Sequence, residues 1–184
     1  MSNPDFIGIY DNALSSEECD ELIAFFESSA KTKGMVFDSV LKRTIVNDSI
    51  KSNVELNDAL VSRTPKCMVR SLEECVKKYV EEYKSLNEIS SWGLIDTYTF
   101  QKLENEGDGY KQWHTEHCPG KLSNRILAWM FYLNDASGTE FIHYPTVDAV
   151  KGRCIIWPSA FTHTHRSTPN KGLKYIMSGW FSFL

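Results

Sequence analysis

From Ser91 onward the chain reads as a series of short strands: Trp92 to Leu103, Ile126 to Leu133, Thr139 to Tyr144, Arg153 to Trp157 and Tyr175 to Phe183. Each is bounded by Gly, Pro, Asn or Asp, the residues that turn a chain rather than extend it. What precedes them is helical in pattern. Helices first and strands afterwards point to an antiparallel sandwich or barrel buttressed by N-terminal helices.

The first half shows where those helices begin. Residues 5 to 10 read as a short strand, and then Ser15 with Glu18 three residues on writes a capping box, with Leu14 placed to staple onto Cys19. Leu22, Ile23, Phe25 and Phe26 give that helix its apolar stripe. Between Gly34 and Ser52 a polar stretch with Val36, Val40, Thr44, Ile45 and Val46 reads as one or two strands or an irregular loop. Val54 to Val61 reads as a short helix. Thr64-Pro65 fits the N-cap and first position of a longer one, in which Leu72, Cys75, Val76, Tyr79, Val80 and Tyr83 recur at helical spacing.

The chain has 184 residues, enough for one domain with a real core and too few for two ordinary ones. A single domain over 1–184 is expected, with residues 1–90 as helical support and 91–184 as the core. A net charge of −4 provides no electrostatic footprint for a polyphosphate partner, which argues against nucleic acid. No apolar run approaches the ~20 residues that span a bilayer, and the N-terminus lacks the basic and apolar regions of a signal peptide. The expectation is a cytoplasmic protein without a membrane partner. Five cysteines, odd in number and without a Cys-x-x-Cys pair, read as buried reduced thiols, with Cys118 the one near the chemistry.

Candidate chemistry gathers in two short motifs. In His114-Thr115-Glu116, an extended backbone would send the imidazole and the carboxylate out of the same face. Alone, such a pair is more often a surface ion pair. A second motif, Phe161-Thr162-His163-Thr164-His165-Arg166, follows an apolar strand and can add a histidine. Two imidazoles and one carboxylate make a facial triad suited to non-haem Fe(II), while a zinc ion with a water in the open position is the competing occupant. Lys174, Ile176, Ser178 and Trp180 share one face of the last strand. With the hydroxyls of Tyr132 and Ser178, Lys174 could hold the distal carboxylate of a dicarboxylate whose other end chelates the metal. The plainer reading leaves Lys174 solvated on a strand edge.

Over roughly residues 90 to 184 the chain resembles the iron and 2-oxoglutarate-dependent oxygenases, in the branch related to prolyl 4-hydroxylases that includes phage-encoded members. The resemblance is carried by Gln101-Lys102 leading to Gly109-Tyr110-Lys111-Gln112-Trp113-His114-Thr115-Glu116, and by Arg125-Ile-Leu-Ala-Trp-Met-Phe-Tyr-Leu-Asn-Asp135. Gly138-Thr139-Glu140-Phe141 and the stretch from Lys151-Gly152-Arg153 to Trp180 complete it.

The resemblance implies a double-stranded β-helix, the jelly-roll or cupin-like fold. It implies that His114, Glu116 and one of His163 or His165 bind Fe(2+). The family places a proline four residues, and a basic residue nine or ten, beyond the distal ligand; Pro169 and Lys174 stand so only from His165. His163 is left to a supporting or substrate-facing place. Lys174, Tyr132 and Ser178 are implied to bind 2-oxoglutarate, with Trp180 as an aromatic wall. The implied reaction couples oxidative decarboxylation of 2-oxoglutarate by dioxygen to hydroxylation of a substrate, with ascorbate as an accessory reductant. By analogy the substrate is a peptidyl-proline, another peptide or a small molecule, and for a phage-encoded member the compartment is the host cytoplasm.

Two departures stand out: Glu116 where most members have aspartate, and Leu103 where many carry a tyrosine, whose contact Tyr98 or Tyr110 would have to supply. Two other classes fit the same residues. A zinc-dependent hydrolase would keep the three ligands and have no use for Lys174 and Tyr132. A non-catalytic jelly-roll binding module would tolerate loss of His165. Residues 34–52, 104–112 and 117–124 are the expected substrate-selecting segments.

Overall fold

The computed structural model describes residues 5–38, 40–117, 120 and 122–184, and the backbone alone at Asn57 and Asp58. Cys118, singled out by sequence, lies outside the described residues. The elements in order are β1 (Gly8–Tyr10), α1 (Ser16–Ser28), β2 (Thr32–Lys33), β3 (Val36–Asp38), β4 (Arg43–Ile45), β5 (Lys51–Ser52), β6 (Val54–Leu60), α2 (Lys66–Glu82) and β7 (Trp92–Leu103). They continue with β8 (Gly109–Tyr110), β9 (Arg125–Tyr132), β10 (Ala136–Phe141), β11 (Val147–Ala149), β12 (Cys154–Pro158), β13 (His165–Ser167) and β14 (Lys174–Phe183).

Seven strands form a major sheet in the order β1-β12-β9-β14-β7-β6-β2, and three form a minor sheet, β11-β10-β13. The ribbons β3-β4 and β5-β8 stand apart, and the pairings are antiparallel. This is the jelly-roll arrangement, with helices covering the outer face of the major sheet.

The period of two decides what each side chain meets. In β9, Leu127, Trp129 and Phe131 enter the cluster shared with α1 and α2, while Ala128, Met130 and Tyr132 enter the layer between the two sheets. In β14, Tyr175, Met177 and Phe181 take the helix side, and Ile176 and Trp180 the inner side. Phe26 of α1 and Phe100 of β7 are fully buried with ring centres 4.6 Å apart. Each such ring contributes about 1.5–3 kcal/mol by burial. Phe141, Val147 and Ala149 of the minor sheet close the inner layer.

Helix α1 starts as the sequence predicts: Ser15 Oγ accepts from the Glu18 amide, and Glu18 Oε2 accepts from the Ser15 amide at 2.9 Å. Val54 to Val61 is not a helix. Residues 54–60 form β6, whose Leu56 pairs with Phe100 and packs on the helix-side cluster; a ladder partner in β7 overrides weak local preference. Thr64 does not cap α2 either. Its hydroxyl donates to the Leu60 carbonyl and bonds the Tyr98 hydroxyl at 2.6 Å, and α2 begins one residue beyond Pro65.

Residues 1–90 are more than helical support. They supply β1 at one edge of the major sheet and β6-β2 at the other. Residues 34–52 resolve into the β3-β4 hairpin and β5. Among the described residues, Cys19, Cys67, Cys75 and Cys154 are buried free thiols, and no helix is long and apolar enough to cross a membrane.

Candidate metal centre

The chain leaves β12 at Pro158, makes a short 3-10 turn over Phe161–His163, and enters β13 at His165. His165 pairs with Phe141 of β10 on one side and with His114 on the other. The second pairing is reciprocal: each histidine amide donates to the other's carbonyl at 3.0 Å. Two backbone hydrogen bonds therefore bring together rings that lie 51 residues apart in the chain, with centres at 4.4 Å.

Each ring is oriented by its Nδ1. In His165 it bonds the His163 carbonyl at 2.9 Å, and in His114 the Gln112 carbonyl at 3.0 Å. A carbonyl only accepts, so Nδ1 carries a proton in each ring, and Nε2 is the atom turned to the third residue of the group. Both Nε2 atoms face Glu116 Oε1, at 3.3 Å from His165 and 3.8 Å from His114. One ligand atom from each of the three lies within 4.8 Å of the others.

Electrostatics match that geometry. Burial pushes the Glu116 carboxyl up, but the hydrogen bond and charge of His165, with His114 and Arg125, outweigh it and hold the group down to about 2. Burial, reinforced by His165, pushes His114 down to about 4. At neutral pH the carboxylate is thus ionised and the His114 imidazole neutral, as metal ligation requires. The donor set of two imidazole nitrogens and one carboxylate oxygen fits a divalent iron or zinc ion.

The ligands open onto a cavity of about 460 Å³ between the sheets. Thr99, Gln101, Met130, Thr139, Ile176 and Ser178 form its inner wall, and Met35, Val36 and Phe37 of the β3-β4 hairpin its rim. A hollow of about 700 Å³ at the β10-β11 end carries none of the three ligands.

Of the residues expected to hold a carboxylate, Ser178 lines the cavity and accepts from Gln101 Nε2 at 3.3 Å. Lys174 and Tyr132 lie beneath the wall. Lys174 is buried, donates to the Gly138 carbonyl at 3.1 Å, and has its Nζ 5.4 Å from the centre of the Tyr132 ring. The Tyr132 hydroxyl bonds Thr139 Oγ1 at 2.7 Å, so the direct pairing of Lys174 with the hydroxyls of Tyr132 and Ser178 is not made. Burial alone pushes Lys174 down to about 8, with no carboxylate to offset it. A buried ammonium without a counter-charge fits an anionic ligand arriving from outside the chain.

His163 does not reach the ligands. Its Nε2 bonds the Asp5 carbonyl at 2.8 Å and its Nδ1 the Thr162 hydroxyl at 2.9 Å, so its contribution is the carbonyl that orients His165. Trp113, at 39% exposure, stacks with the Arg166 guanidinium. Tyr98 faces the helices, whereas Tyr110 lines the cavity with its ring 3.8 Å from that of His114.

Two site residues, Lys51 and Arg125, have no role in the sequence reading, and a third, Trp180, is read there only as an aromatic wall. Lys51 lines the cavity and is neutralised by buried Glu55 at 2.5 Å; Arg125 and Trp180 flank Glu116. Trp180 was legible as inward-facing from the period of two, but nothing in the sequence names its partner. Lys51 sits in a stretch without a motif.

Residues 98–182 match the family model described as the 2OG-Fe(II) oxygenase superfamily. This segment is similar to 2OG-Fe(II) oxygenase domains. Among curated proteins no relative matches. Solved structures similar to the chain include the viral collagen prolyl hydroxylase of Paramecium bursaria Chlorella virus-1 in its 2OG complex, at 15% identity and TM-score 0.69, covering 97% of each chain. A prolyl hydroxylase of Trichoplax adhaerens, in complex with a hypoxia inducible factor peptide fragment, matches at 15% identity and TM-score 0.70, covering 98% of this chain and 84% of its own. A Pseudomonas putida prolyl-4-hydroxylase matches at 14% and 0.68, covering 97% and 92%. At such identities the likeness speaks for the fold.

Proposed function

We propose that the chain is an Fe(II)- and 2-oxoglutarate-dependent dioxygenase that hydroxylates a peptidyl-proline or a related peptide, with Fe(2+) held by His114, Glu116 and His165. The observation that carries this is the convergence of one ring nitrogen from each histidine and one carboxylate oxygen within 4.8 Å inside the matched segment. When bound, iron and 2-oxoglutarate would activate dioxygen, one oxygen atom going to succinate as 2-oxoglutarate loses CO2 and the other to a substrate C–H as hydroxyl, with ascorbate as an accessory reductant.

The chain's own part is to bind, orient and exclude water. Lys174, a buried cation with no carboxylate partner among the described residues, would serve the distal end of 2-oxoglutarate from beneath the Gly138-Thr139 wall that Tyr132 fixes. Ser178 adds a hydroxyl on the cavity side. Phe141 and Trp157 pack on the His165 ring at 5.6 and 5.1 Å and keep it in place. The β3-β4 hairpin offers Met35 and Phe37 at the rim, an apolar edge suited to a peptide. The peptide bound to the Trichoplax enzyme supports that class of substrate by analogy.

The test is to incubate the protein with Fe(II), 2-oxoglutarate and proline-containing peptides in air and follow succinate and peptide mass. Succinate formed in step with peptide gaining one oxygen atom is the expected result. Peptide cleavage supported by zinc, with no succinate, would contradict the reading.

A further inference from the structure

The two oxygens of Glu116 face different ways. Oε1 points at the histidines, 3.3 and 3.8 Å from their Nε2 atoms. Oε2 accepts a hydrogen bond from Trp180 Nε1 at 2.7 Å, with Arg125 Nη1 at 3.5 Å. The donor is itself held in place. The Arg125 guanidinium lies 3.4 Å from the centre of the Trp180 ring, and Arg125 Nη1 also donates to the Glu116 carbonyl at 3.4 Å. Trp180 and Arg125 come from paired strands of the major sheet, β14 and β9, whereas Glu116 lies in an irregular segment between β8 and β9. A rigid sheet thus fixes a carboxylate that its own backbone does not.

We infer that Trp180, supported by Arg125, is a positioning residue that holds Glu116 to ligation through one oxygen. The inference rests on the ligand set proposed above. A glutamate has one more rotatable bond than an aspartate and, left free, can turn both oxygens to a metal. With Oε2 engaged by an indole N–H, only Oε1 is offered. Three protein atoms then leave three adjacent positions of an octahedron, enough for two-point chelation by a 2-oxo acid and one further ligand. Ligation through both oxygens would leave one position too few. The additional methylene of Glu116 carries its carboxylate to where Oε1 meets the histidines and Oε2 the indole, and removing that methylene should withdraw Oε2 from Trp180.

The test is anaerobic Fe(II) affinity by chelator competition, followed by the absorption band of the 2-oxoglutarate chelate. Trp180→Phe keeps the ring that Arg125 stacks on and removes only the N–H. It should weaken Fe(II) binding about 10–100-fold, the range for losing the partner of a metal ligand, and diminish the chelate band. In a Glu116→Asp background the hydrogen bond is already lost, so Trp180→Phe should weaken binding no further. Equal losses in both backgrounds, or none in either, would overturn the inference. If Trp180→Phe does not fold, Glu116→Asp alone decides: its Fe(II) affinity should fall, and parental affinity would overturn the inference. A parent whose Fe(II) affinity survives His165→Ala overturns the ligand set as well. Loss with His165→Ala and parental affinity in Trp180→Phe overturns this inference alone.

Discussion

His163 and His165 stand two residues apart and do opposite things. His165 offers Nε2 to the centre, while both ring nitrogens of His163 are taken by Asp5 and Thr162. Spacing to Pro169 and Lys174 singles out His165; the ring environment of His163 depends on a segment 158 residues away and could not be read from the chain. Lys174 shows the same limit. Its place on the inner face of β14 follows from alternation, but its bond to the Gly138 carbonyl belongs to the minor sheet. Lys174→Ala should leave Fe(II) binding intact and weaken 2-oxoglutarate about 10–100-fold, the equivalent of a charge-assisted hydrogen bond of about 1.5–3 kcal/mol. Because burial lowers the ammonium to about 8, it loses its proton as pH rises through that value. Affinity for 2-oxoglutarate, measured by calorimetry, should therefore fall above about pH 8 in the parent. In Lys174→Ala that dependence should be absent.

At the scale of elements, some local signals carry through, although the Thr64-Pro65 start signal does not. The Ser15-Glu18 capping box opens α1, and β7 spans Trp92–Leu103 as its pattern predicts. What depends on a distant partner is not legible. Residues 54–60 lack a strong strand pattern and become β6 because β7 is available to pair, and β13 is three residues long and held by β10 and His114. Gly138 is such a tertiary position. Its carbonyl accepts from Lys174, Thr168 N and Thr168 Oγ1, and a Cβ there would collide with the Val147 carbonyl across the β10-β11 pairing. Gly138→Ala should cost about 1–3 kcal/mol in urea denaturation through overpacking. It should also weaken 2-oxoglutarate by shifting the wall over Lys174; unchanged stability would mean that β10 and β11 separate freely.

Across the whole molecule the N-terminal half is part of the sheet, not an external brace. Strands β1, β6 and β2 extend the major sheet at both edges, Lys51 and the β3-β4 hairpin reach the cavity, and α1 and α2 cover the outer face. An antiparallel sandwich or barrel was foreseeable from the strands after residue 91, and the jelly roll from the family resemblance, but this contribution was not, because short edge strands such as Thr32–Lys33 carry too few residues to show a period. The fold thereby joins a rigid sheet bearing Lys174, Ser178 and Trp180 to an irregular segment bearing His114 and Glu116, with His165 at their junction. The direct trial of that arrangement is an anaerobic titration of the protein with Fe(II) and then 2-oxoglutarate, following the visible charge-transfer band of the chelate, alongside His165→Ala. A band in the parent that is lost in the folded variant is the predicted result; a band that persists without His165, or a folded parent that never develops one, would contradict the assignment.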